Sequence, residues 1–115
     1  MRLVRFAAEN ARPIEAHGSS GFSISPLASS LGASFQAVVR LQPGGRIGRH
    51  PTVGPQMLAI VVGSGTVSGR DGVEHAVGVG DAAVWDAGEE HETRTDEGLT
   101  AIVIEGGGLE ILAGP

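Results

Sequence analysis

The 115-residue chain has no cysteine, no lysine and no tyrosine. Without cysteine there is no disulfide framework, no zinc knuckle and no thiol nucleophile. Without lysine there is no Schiff base and no phosphate-binding loop of the Gly-Lys-Ser/Thr kind, so no nucleotide cofactor is expected. None of the nine serines sits in a Gly-x-Ser-x-Gly elbow. Aromatics reduce to Phe6, Phe22, Phe35 and Trp85, and eight scattered arginines face thirteen acidic residues for a net charge of −5. Nucleic-acid binding needs a basic patch with stacking platforms, so that class is set aside. No apolar stretch is long enough to span a membrane, and MRLVRFAAEN carries charge where a signal peptide needs its apolar run. The expectation is a single cytoplasmic domain, long enough to bury a core of its own. Chemistry is left to His, Asp, Glu, Arg and whatever a metal supplies.

What is present is punctuation: nineteen glycines and six prolines. Between them lie short runs rich in Val, Ile, Leu and Thr, the pattern of many short strands. These are Leu3–Phe6, Phe22–Leu27, Ser34–Leu41, Gln56–Val62, Thr66–Ser68, Val73–Val77, Ala82–Trp85, His91–Thr95, Leu99–Glu105 and Leu109–Leu112. The Gly-rich GSGTVSG at 63–69 reads as a turn, and Asp71-Gly72 marks a hairpin. No segment holds a helical period, and Pro13 interrupts the best candidate, Phe6–Ala16. The pattern predicts an all-β antiparallel sandwich or barrel over 34–115, preceded by an arm at 1–33.

Residues two apart share a face of a strand. His50 and Thr52 therefore go together if that stretch is extended, as do Gln56, Leu58 and Ile60, and His91, Thr93 and Thr95. His50 and His91 each open a strand after a Gly-rich turn, which allows them to meet at one barrel mouth.

The spacings resemble the two motifs of the cupin superfamily. The first reads Gly44, five residues, His50, Thr52, three residues, Gln56, six residues, Gly63. The second reads Gly80, five residues, Asp86, Gly88, two residues, His91, three residues, Thr95. The resemblance is to the small single-domain cupins, covers about 40–95, and implies one antiparallel jelly-roll barrel. In metal-binding members the ligands would fall at His50, Thr52, Gln56 and His91. Here one position is a hydroxyl and another an amide, and Asp86 and Thr95 replace the usual Pro and Asn.

The resemblance thus implies a degenerate metal site of His50, Gln56 and His91, lined by Thr52, Leu58, Ile60, Thr93, Thr95 and Trp85. Without a carboxylate, imidazole-preferring ions (Zn, Ni, Fe or Cu) are expected over Mg or Ca. Two functions stay open: a metal-dependent small-molecule enzyme of oxygenase or isomerase type, and a metal-free module that hydrogen-bonds a small ligand. Glu89 shares parity with His91 and is either a substitute carboxylate or part of a solvated acidic rim with Glu90, Glu92, Asp96 and Glu97. Arg46 and Arg49 read as exposed loop arginines or as partners for an anionic ligand, and His17 and His75 as surface histidines. Met57 should face the core on the opposite side from Gln56. The family also implies a homodimer, with the N-terminal arm packing on the partner.

Overall fold

The computed structural model describes residues 1–115 apart from Ile14, Gly21 and Phe22. The strands among the described residues are β1 (Arg2–Arg5), β2 (Arg12–Pro13), β3 (Ser23–Ile24), β4 (Ala28–Ser30), β5 (Ser34–Leu41), β6 (Arg46–Pro51), β7 (Gln56–Ser68), β8 (Glu74–Gly78), β9 (Asp81–Trp85), β10 (Glu90–Arg94), β11 (Leu99–Gly106) and β12 (Leu109–Ile111). The chain folds as an antiparallel jelly-roll β-barrel, as its strand pattern predicts. The expected strand at 22–27 shortens to β3, with Phe22 outside the described residues.

Two sheets share β7. Its first half pairs with β9 and β11, in a sheet that continues to β1 on one side and β5 on the other. Its second half pairs with β8 and β10, and β10 carries β6. The 63–69 stretch is therefore not the turn its glycines suggest, because the strand runs on to Ser68. What the glycines provide is the corner. Gly63 has φ +80°, and a side chain there would collide with the Gly98 carbonyl oxygen. Next to it the register against β11 slips between Thr100 and Ala101. That irregularity flips the face of the strand, so Leu58 and Ile60 share the barrel interior with Val67, an odd number of residues away.

The interior cluster also holds Ala83, Trp85, Ala101 and Val103. A second cluster forms on the outer face of the first sheet, where Val4, Met57, Ala59, Ala82 and Val84 are covered by Phe6, Leu27, Leu109 and Ile111. Met57 lies there, fully buried and opposite Gln56, as the alternation requires. The N-terminal arm packs on its own barrel: β1 closes the β9 edge, and β4 pairs with β12 above the outer cluster. No described helix is long and apolar enough to cross a membrane.

Candidate functional site

One row of side chains crosses the first sheet at its open end. The register sets Trp85 beside Gln56, Gln56 beside Glu105, and Glu105 beside Phe35, on β9, β7, β11 and β5 in turn. Two residues along each strand, Ala83, Leu58, Val103 and Ala37 belong to the barrel interior or pack against it, so the row shares their face. From the other sheet β10 and β6 bring His91 directly opposite His50. The imidazole centroids are 4.6 Å apart, and the His91 ring is 4.5 Å from the Trp85 ring. The two histidines that the spacing allows to meet do so, but His50 comes from near the end of β6 and not from a strand start, because β6 and β10 are antiparallel.

Their environments differ. His50 is exposed, and its Nδ1 lies 2.6 Å from the Gly48 carbonyl oxygen. A carbonyl only accepts, so Nδ1 donates, and in the neutral ring Nε2 holds the lone pair. The slip in the β6–β10 pairing between His91 and Thr93 puts an extra β6 residue beside His50. His91 is 4 % exposed, and neither ring nitrogen has a hydrogen-bond partner. Burial, then the adjacent His50, lowers its pKa below the usual imidazole value, against the opposing pull of Glu105 and Glu89. A neutral imidazole with unmatched nitrogens is costly inside a protein, where buried polar groups are nearly always paired.

Gln56 is half-buried, and its Nε2 donates to Glu105 Oε2 at 2.7 Å. Glu105 Oε1 accepts from the Gly54 amide at 3.2 Å. The sequence reading passed over Glu105, because nothing in a β11 run ending in a glutamate shows that it sits beside Gln56. It also passed over Phe35 as a rim residue, yet Phe35 is 62 % exposed at the end of the same row.

Other predicted residues are engaged elsewhere. Thr52 is buried, and its hydroxyl donates to the Asp86 carbonyl at 2.8 Å, tying the β6–β7 turn to the β9–β10 turn. Replacing it by valine should cost about 1 kcal/mol in urea unfolding while leaving ligand or metal affinity unchanged; a large affinity loss at full stability would restore Thr52 to the site. Thr95 lies beyond the far end of β10, donating to the Ser64 carbonyl at 2.6 Å and accepting from the Gly98 amide at 2.9 Å. It shapes a turn rather than the mouth. Thr93 is buried on the His91 face, and Leu58, Ile60 and Trp85 form the floor below. The Trp85 indole donates to the Ser68 carbonyl at 3.1 Å.

Glu89 is neither a rim residue nor a substitute ligand. It is 1 % exposed, and its carboxylate accepts from the Arg70 amide (3.0 Å), the Asp86 amide (2.9 Å) and the Met1 ammonium (2.9 Å). Arg49 turns toward the β7–β8 turn, donating to the Gly69 carbonyl at 2.8 Å and lying 3.6 Å from Glu90. Arg46 and His17 are exposed, and His75 is half-buried.

Among the described residues no three His, Cys, Asp or Glu groups cluster as a metal site. Two imidazoles in ring contact, with His91 lacking any partner, fit an imidazole-preferring transition ion whose third donor is neutral.

A model of the cupin domain family matches residues 37–106. Among curated proteins, none matches this sequence. Solved structures with the same fold include a conserved protein of unknown function from Streptococcus pyogenes, at 23 % identity and TM-score 0.60, covering 69 % of this chain and 71 % of that one. An RmlC-like cupin from Shewanella frigidimarina matches at 18 % identity and TM-score 0.60, covering 63 % of this chain and 64 % of its own. A predicted oxalate decarboxylase from Thermotoga maritima matches at 24 % and 0.56, covering 67 % of this chain and 65 % of its own. These likenesses carry the fold.

Proposed function

The chain belongs to the cupin family, and we propose that its barrel mouth binds a small molecule together with a divalent transition-metal ion held by His50, His91 and Gln56. The observation that carries this reading is His91, buried in contact with His50 while both of its ring nitrogens lack partners. A polar group in that state marks a place for a ligand that the protein's own atoms do not supply. Bound there, zinc, nickel, iron or copper would supply Lewis-acid or redox chemistry. The chain's own residues orient and enclose. The Gly48 carbonyl fixes the His50 tautomer, Leu58, Ile60 and Trp85 keep water from the floor, and exposed Phe35 offers an apolar rim to a small molecule. Neighbours named as a predicted oxalate decarboxylase and a salicylate 1,2-dioxygenase support small-molecule chemistry on this fold, although fold alone does not name a substrate.

A second reading is a metal-free pocket that hydrogen-bonds its ligand through His91 and Gln56. It is favoured by the absence of a three-residue His/acid cluster among the described residues. Trp85, the single tryptophan, separates the two. Nickel(II) added to chelator-treated protein should quench its emission saturably, and His91→Ala should weaken that titration at least about tenfold. Emission that does not respond to nickel, zinc or iron favours the metal-free pocket. The proposal also includes a homodimer, for which the outer edge of β5, unpaired among the described residues, and exposed Val38 offer a surface.

A further inference from the structure

The carboxylate absent from position 56 stands one strand away. We propose that Glu105 is a positioning residue for the metal centre, acting through Gln56: it supplies the charge that Gln56 lacks and holds the amide with its oxygen as the donor. This rests on the metal-binding reading above.

Three observations support it. First, Glu105 and Gln56 are register partners on β11 and β7, and the Gln56 Nε2 to Glu105 Oε2 distance is 2.7 Å, short for an amide donor and typical of a charge-assisted bond. An ionised carboxylate only accepts, so it forces the amide nitrogen toward itself and leaves Oε1 as the free end. That oxygen has no protein donor among the described residues, and the carboxylate pulling on the N–H makes it a better electron-pair donor.

Second, no ion pair engages Glu105 among the described residues. Its other oxygen takes only the Gly54 amide, which pins the loop between His50 and Gln56. Half-buried beside Trp85's neighbour, the charge has no cation of its own, which is the state expected of a carboxylate that balances a ligand held nearby. Third, Glu105 does not join the histidines in any cluster that would ligate an ion directly. Besides the direct pull of its charge on His91, its influence on the site passes through the amide. Gln56 adjoins buried His91, with its unmatched nitrogens, through Trp85: Trp85 is the register partner of Gln56, and its ring lies 4.5 Å from the His91 ring.

The test is calorimetric titration of zinc and nickel into metal-free full-length protein, with thermal unfolding of each variant run in parallel. Glu105→Gln keeps shape but frees the amide to flip and removes the charge, and should lower affinity about 10- to 100-fold. The exchange variant Gln56→Glu/Glu105→Gln rebuilds the hydrogen bond with its polarity reversed and places the carboxylate on β7. It should bind at least as tightly as wild type. A merely structural role for Glu105 would lower stability and affinity together and would not reverse on exchange.

Wild-type affinity in Glu105→Gln overturns the proposal, as does an exchange variant that binds no better than Glu105→Gln. A wild type that takes up neither ion overturns the metal reading and this proposal with it. That outcome is distinct, because it appears before any variant is compared.

Discussion

Replacing Glu89 by glutamine should lower the unfolding free energy at pH 7 by about 3 kcal/mol and flatten the acid limb of the stability curve. Burial by itself raises the Glu89 pKa, but the Arg70 and Asp86 amides and the Met1 ammonium outweigh it and hold the carboxyl at about 2, against 4.5 ordinarily. Because the folded pKa is the lower one, the unfolded chain takes up the proton first as pH falls. The stabilisation is therefore complete above about pH 5.5, declines as the pH drops through 4.5, and is gone below about pH 2. A shift of that size corresponds to about 3 kcal/mol. Glutamine has no charge to offer the ammonium, and its NH2 would replace one of the two accepting oxygens and face a donor, either the Asp86 amide or the Arg70 amide and the ammonium.

The carboxylate also determines where His91 sits. It joins the chain start, the β7–β8 turn and the β9–β10 turn at a point two residues before the buried imidazole. Gly69 leaves the room, since a side chain at that position would overlap the Glu89 carboxylate. Urea unfolding at pH 7 and pH 3 measures the effect. Equal pH dependence in wild type and Glu89→Gln would mean that Glu89 is not the group responsible.

His91→Leu should act in the opposite direction on stability. The wild-type ring buries two nitrogens without partners, and removing both while keeping similar volume should raise the unfolding free energy of the metal-free protein by about 1–2 kcal/mol. Contact with Trp85 and His50 is apolar in character and survives in large part. Metal or ligand affinity should be lost, which makes His91 a residue retained at a cost to stability. Urea unfolding in chelator measures the change. If His91→Leu is instead destabilised by a similar amount, the imidazole is matched inside the protein and the site has no unfilled valence there.

The strands could be read in advance because glycine and proline divide the chain into alternating apolar runs, and β5 runs over the same residues as its predicted segment, Ser34–Leu41. The meeting of His50 and His91 was readable from motif spacing, although not from strand starts: His50 stands near the end of β6, and antiparallel pairing brings that end to the start of β10. Three features were not. Gly63 looks like a turn in sequence, yet the corner it makes lies within β7, because a glycine at φ +80° can bend a strand without ending it. Glu89 belongs to an acidic run that resembles a solvated rim, and only the tertiary fold brings two amides and an ammonium to its carboxylate. Glu105 depends on the register of β11 against β7, a long-range property that local alternation does not contain. Nor does local alternation show that Phe6 and Leu27 of the arm cover the outer cluster of Met57 and Val84.

The central claim is that His50 and His91 form a working pair that binds a metal ion. The most direct measurement is elemental analysis of protein purified without an affinity tag, beside the His50→Ala/His91→Ala double variant. The account predicts near-stoichiometric zinc, nickel, iron or copper in the parent and none in the variant. No metal in either protein, even after soaking with zinc, nickel and iron, would contradict it.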